Sequence, residues 1–292
     1  MANILGSIER FFKQKNILTR LILINISIFL LIRFSVVIMT LFNIEGWSLW
    51  QYLDLHASIP HLLHEPWTLF SYMFVHLDFL HILLNLLWLY WFGQIFLLFF
   101  NEKQLTGVYL LGGLFGALLY AFSYNIFPYF SDKIEVSTLI GASASVMAIV
   151  FAASFFKKDY SINLLFIGSV NIYYIALVSL VIDLLAVTSS NAGGHWAHLG
   201  GALFGICYAL CYRKGKDLAA PVNWLIDRIV NMFKKKPKMR VTYQKREPDY
   251  RYNDKKNKET QGIDSILDKI KKSGYDSLTK EEKKQLFDAS NK

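Results

Sequence analysis

The sequence predicts an all-α polytopic membrane protein, and three observations carry that prediction. Apolar runs of about 20 residues, the length needed to cross a hydrocarbon core of about 30 Å, recur through the first two thirds of the chain. The 292 residues are 54% hydrophobic and 16% aromatic but only 18% charged. The net charge of +9 is concentrated after Tyr212, which points to electrostatics at a membrane surface and away from nucleic-acid binding.

In chain order, residues 1–20 form a short segment carrying Arg10, Lys13, Lys15 and Arg20. No stretch there combines a short apolar core with a cleavage site, so the first span is expected to be retained. Hydropathy places six spans at 21–42, 80–100, 105–127, 139–156, 164–187 and 196–212, making 21–212 one bundle. Arg33, near the middle of the first, is expensive there unless it finds a partner or reaches the interface. Cys207 and Cys211 stand four apart on one predicted helix, a geometry that disfavours a disulfide and marks them as packing residues.

Loop charge sets the orientation. Lys103, Lys157, Lys158, Arg213, Lys214 and Lys216 fall on the side of the N-terminal cluster. The loops 43–79 and 188–195 hold no lysine or arginine, and the remaining loop has only Lys133. Both termini are therefore expected to be cytoplasmic, and the expected address is a bacterial cytoplasmic membrane.

With that orientation the second, fourth and sixth spans all enter from the outer face. Their first turns carry His81 and Asn85, then Ser143, then His198, at depths that differ by about one helical turn. A lone serine, histidine or asparagine in a span is ordinary packing or interhelical glue. Four polar groups in one layer, brought there from more than a hundred residues of sequence, point to a shared functional site. Serine becomes a nucleophile when a base takes its proton, and imidazole titrates near neutrality. His81 and Asn85 are four apart on one helix face, which suits paired donors to an oxyanion. Gly141, Ala142 and Ala144 leave room for a substrate backbone to approach Ser143. Gly201 and Gly205 form a Gly-x-x-x-Gly through which the sixth helix can approach a neighbour, expected to be the fourth.

These residues resemble the rhomboid intramembrane serine proteases. The matching motifs are His81-Ile-Leu-Leu-Asn85, Gly141-Ala142-Ser143, and Ala197-His198-Leu199-Gly200-Gly201 with Gly205, and the resemblance covers about 21–212. It implies a six-helix bundle in which Ser143 is the nucleophile and His198 its base and acid. His81, Asn85 and the Ser143 backbone N–H would form the oxyanion hole. It also implies transmembrane protein substrates, no metal or cofactor, and a fifth helix that serves as a lateral gate. The chain departs from the common pattern at Ala144, where glycine is usual, at Met147, where several members carry an aromatic, and at Thr68, which follows Trp67 in place of arginine.

The loop 43–79 looks like the family's long, partly interfacial first loop; Trp47, Trp50, Tyr52 and Trp67 suit that depth. Its histidines at 56, 61, 64 and 76 allow a metal reading, but no second ligand pattern supports it, and His76 can instead orient water. Asp183 lies at a depth that allows it to orient His198 as a third, acidic member. The resemblance favours two members, with Asp183 structural or gating.

Residues 213–262 read as a basic amphipathic helix followed by a linker. Val222, Leu225, Ile226, Ile229, Val230 and Phe233 recur at helical spacing before Lys234–Lys236, which suits a helix lying on anionic lipid or packed on the ends of the spans. Residues 237–261 read as flexible. Residues 263–292 form a small hairpin: Ile263, Ile266, Leu267 and Ile270 make one stripe, Ser273-Gly274 breaks it, and Thr279-Lys280-Glu281-Glu282 is a capping box. So small a hairpin has little core of its own, and docking on a partner, on another copy of the chain or on the bundle all stay open. The rival to the enzyme reading is a transporter or a binder of membrane helices that uses the polar layer as its site.

Overall fold

The computed structural model describes residues 16–44, 46, 48–164, 168–233 and 248–290. The chain divides into two compact units, Met1–Lys234 and Lys235–Lys292. Arg10, Lys13, Lys15, Trp47, Lys234–Lys236 and the predicted linker from 237 to 247 lie outside the described residues.

The first unit is helical. Its long helices are α1 (Ile17–Leu41), α4 (Phe79–Leu97), α5 (Glu102–Ile126) and α8 (Ala192–Arg213), with shorter α6 (Ser143–Phe156) and α7 (Ile172–Leu185) between α5 and α8. Among the described residues α1, α4 and α5 are long and apolar enough to cross a membrane, and α6 and α7 are shorter apolar helices. The start of α1 is fixed by Asn16, whose side chain accepts the Thr19 N–H at 2.8 Å. Asn101 and Gln104 close a capping box at the start of α5. Arg33 has a partner: its guanidinium donates to the Leu77 carbonyl at 3.4 Å, in the loop before α4. Cys207 and Cys211 are free thiols.

Three predicted boundaries are corrected. The fourth helix begins at Ser143 rather than 139, because Gly141 at φ +112° turns the chain and Thr138–Leu139 are extended. The fifth begins at Ile172 rather than 164; strands β3 (Ser161–Leu164) and β4 (Gly168–Asn171) pair antiparallel where helix was expected, with Gly168 at φ +91°. The sixth begins at Ala192, four residues before the predicted start. At 14 residues each, α6 and α7 are about 21 Å long, well under a 30 Å core.

The segment between α1 and α4 is folded against the bundle. Strand β1 (Leu55–His56) pairs with β2 (Thr138–Leu139), tying this segment to the approach to α6. Two short helices follow β1, α2 (Ile59–His64) and α3 (Thr68–Ser71). Trp67 donates its indole N–H to the Tyr52 carbonyl at 2.8 Å. Tyr72 is buried and donates to the Gly113 carbonyl at 2.6 Å, while Tyr109 donates to the Met73 carbonyl at 3.2 Å. These bonds satisfy polar groups where water is scarce, so they fix the segment in place.

The centre is a close stack of α5, α6 and α8. A Cβ on Gly201 would stand 2.0 Å from the Ala144 carbonyl oxygen, and one on Gly205 2.4 Å from that of Ala148. The Gly-x-x-x-Gly seam therefore rests on α6, as expected. From the other side Gly112 faces the Ala148 methyl and Gly116 the Ala144 methyl, so the alanine at 144 sits over a glycine. Every residue of α6 from Ala148 to Ser154 is buried. Small residues let the helices come near enough for dispersion to hold them, which is what holds helices together in lipid. By contrast α7 buries only Ile172, Ala176 and Asp183, and exposes Val178, Val181, Ile182 and Leu185.

After α8, helix α9 (Ala220–Phe233) is anchored to the start of α5. Ala219 packs where a Gly107 side chain would lie, Gln104 donates to Asp217 at 3.1 Å, and Lys103 pairs with Asp227. Trp224, Leu225, Ile229 and Met232 remain exposed. The helix is thus docked at one edge, and its apolar stripe stays open.

The second unit contains α10 (Pro248–Ser273) and α11 (Lys280–Ser290). The expected flexibility up to 261 is corrected, since the described part from 248 is helical. The break at Gly274, at φ +81°, and the capping box are as expected: Thr279 N–H donates to Glu282 at 2.8 Å and Glu282 N–H to the Thr279 hydroxyl at 3.3 Å. Lys269 binds the same carboxylate at 2.9 Å, and Ile266 and Leu278 are buried between the helices.

Candidate active site

A cavity of about 670 Å³ opens among α4, α6, α7 and α8, and Ser143, His198, His81 and Asn85 all line it. The four groups predicted to share a layer thus share a space. Ser143 is the first residue of α6, half-buried, so its N–H is one of those a helix start leaves without an internal partner. The positive end of the α6 dipole lies at the same point. Asn85 is buried and donates to the His81 carbonyl at 3.0 Å, leaving its second amide proton for another acceptor.

Gly141 and Ala142 stand behind the serine rather than in the cavity wall. Gly141 N–H donates to the Tyr72 carbonyl at 2.9 Å. A Cβ there would lie 2.8 Å from the His81 ring, so glycine is needed both for the positive φ and for the imidazole to rest against the backbone. Ala142 N–H donates to His76 Nε2 at 3.3 Å, and His76 meets His81 edge-on at 5.0 Å. The early segment thereby holds the turn that presents Ser143. Met147 also lines the cavity.

His198 does not hydrogen-bond Ser143 here. Its Nδ1 is engaged by Asp183 Oδ1 at 2.9 Å, and the same oxygen lies 2.8 Å from His195 Nδ1. Asp183 is buried, whereas the two imidazoles are about one-fifth exposed to the cavity. The structure thus joins to the predicted set one residue weighed from depth, Asp183, and one that sequence reasoning missed, His195. The available signal for His195 was its place three residues before His198, one turn away on the same helix face.

Two imidazoles and a carboxylate are also a metal donor set, and among the described residues this is the one group of three or more that converges. Ligands of a tetrahedral zinc stand about 3.3 Å apart at ordinary bond lengths, further than the oxygen is from either nitrogen. Shared protons, not an ion, fit these distances. The loop histidines do not assemble into such a group: His56 meets His61 at a tilt with ring centres 3.8 Å apart, while His76 is buried beside His81.

The family model described as Rhomboid domain matches residues 63–215, which contain every residue lining the cavity. The chain belongs to the rhomboid family. Rhomboids are generally intramembrane serine proteases, and the family includes inactive members. This rhomboid is a multi-pass integral membrane protein. Outside the rhomboid domain, residues 248–292 match a family of unknown function (DUF6576), which coincides with the helical second unit. Among curated proteins none matches the chain.

The buried His76 makes this rhomboid's stability sensitive to acid. Burial foremost, and then the neighbouring His81, push the His76 imidazole down to about 4, so at neutral pH it is uncharged and able to accept from Ala142. The unfolded chain takes up the proton first as pH falls from 6.5 towards 4, so the stabilisation is complete above 6.5 and is lost on the way down, by up to about 3 kcal/mol. Thermal unfolding in detergent should show that loss between pH 7 and 4.5. His76→Gln, which keeps an acceptor but does not titrate there, should flatten the difference.

Proposed function

We propose that this rhomboid is an intramembrane serine endopeptidase that cleaves transmembrane segments of other membrane proteins, with Ser143 as nucleophile and His198 as base and acid. The observation that carries the reading is the shared cavity: a helix-N-terminal serine, a histidine on a second helix, and two further polar side chains on a third face one space. Ser143 Oγ attacks the scissile carbonyl while His198 takes its proton; the proton then passes to the leaving amine, and water repeats the cycle on the acyl-enzyme. The oxyanion is received by the Ser143 N–H, the free proton of the Asn85 amide and the His81 ring. Such a mechanism uses no metal or cofactor.

In this reading six helices cross the bilayer, both termini lie on the cytoplasmic side, and α9 rests its exposed stripe on lipid. The short α6 then leaves Ser143 below the outer surface, with the cavity supplying water. The thinly packed α7 is the wall that yields to a substrate helix. A fluorophosphonate probe applied to the reconstituted protein should label Ser143. An unlabelled wild type, under conditions that label a control serine hydrolase, would favour a non-proteolytic binder or transporter of membrane helices.

A further inference from the structure

An ionised carboxylate only accepts hydrogen bonds, so at 2.8 and 2.9 Å from Asp183 Oδ1 both His195 and His198 present Nδ1–H. In a neutral ring with that proton the second nitrogen carries a lone pair. We propose that Asp183 is the positioning residue of this site, holding His198 in the tautomer whose Nε2 can take the Ser143 proton, and that His195 holds the same carboxylate oxygen in place. This rests on the protease reading and makes the Ser–His pair part of a four-residue chain.

The proton balance is simple. The Ser143 O–H bond breaks as Oγ bonds the carbonyl carbon, and the proton joins His198 Nε2. The resulting imidazolium keeps its Nδ1–H on Asp183, whose charge lies beside the new positive charge. Nε2 then gives its proton to the departing amine; Asp183 gains none at any stage. His195 gives the carboxylate a second donor, which limits its rotation away from His198. Asp183 is the buried polar member of α7's thin inward stripe, with Ile172 and Ala176, and the two histidines are on α8. The same bonds therefore latch α7 to α8, and a purely structural latch is the competing account.

The two accounts part in kinetics. A latch that loosens α7 changes substrate entry and so appears in KM, whereas a lost tautomer appears in kcat. The full-length protein, reconstituted with a quenched transmembrane substrate and separately exposed to a fluorophosphonate, reads both. Asp183→Asn should lower kcat and the labelling rate together by on the order of a hundredfold or more, with KM within about twofold. Asp183→Glu should recover at least about a tenth of wild-type kcat. Should Asp183→Asn fail to fold, His195→Ala gives a second reading, expected as a smaller fall in kcat with KM held. Wild-type kcat in Asp183→Asn, or a loss confined to KM, would overturn the positioning role while leaving a labelled Ser143 intact. A wild type that neither cleaves nor labels would remove the protease reading and this one with it.

Discussion

Replacing Ser143 with alanine is expected to reduce cleavage of a reconstituted transmembrane substrate by at least about a thousandfold, to background, without unfolding the protein. The loss is large because no other group in the cavity offers a hydroxyl at a helix start facing an imidazole, and nucleophile and base act as a unit whose separate deletions do not add. The fold should survive because Ser143 is half-buried and makes no side-chain hydrogen bond that alanine would break, so its change falls within about 0.5 kcal/mol. His198→Ala should lose activity to a similar degree. Cleavage that persisted in Ser143→Ala would sink the nucleophile assignment. A transporter or helix binder would instead keep its function in that variant and lose it on changes at Asn85 or His198.

The second large effect is expected at Gly201, at the seam beneath the serine. Even alanine there places a methyl carbon 2.0 Å from the Ala144 carbonyl oxygen and 3.1 Å from the Ala144 Cα. These are backbone atoms of a helix packed between α5 and α8, with the Ala144 methyl already against Gly116, so relief requires α6 and α8 to separate. Overpacking of this kind costs about 1–3 kcal/mol, and more where the neighbour cannot yield. Ala144 is bonded to Ser143, so the displacement reaches the nucleophile directly. A shift of about 1 Å between serine and base is enough to lower turnover by about a hundredfold. Gly201→Ala should therefore lower both the unfolding temperature and kcat. Gly262→Ala, in α10 with nothing within 4 Å of the added carbon, should be neutral or slightly stabilising. Equal behaviour of the two variants would contradict the seam.

The contrast between the legible and illegible parts of this chain follows from the range of the interactions. Gly201 and Gly205 announced a close helix contact because small residues at that spacing have little other use in lipid, and α6 was the expected partner. Thr279 and Glu282 announced a helix start because a capping box is complete within four residues. The strand pair at 161–171 was missed because hydropathy averages over a window, and the apolar residues from 164 to 167 carried the average into a span. Only the turn at Gly168 distinguishes the two, and a glycine inside an apolar run gives no such sign by itself.

By itself the sequence determined the helical membrane class and the approximate place of the apolar segments, and it singled out Ser143, His198, His81 and Asn85 as one expected group. Length, hydropathy and charge asymmetry are one-dimensional quantities, and the bilayer converts them into depth. Depth alone cannot say which groups in a layer touch. The tertiary structure decided that Asp183 and His195 meet His198, that His76 holds the turn before Ser143, and that Gly116 receives the Ala144 methyl. Each of those contacts depends on the azimuth of a helix and on where it begins within a turn. Both are set by the close packing of α5, α6 and α8 and by the loop segment bonded across them.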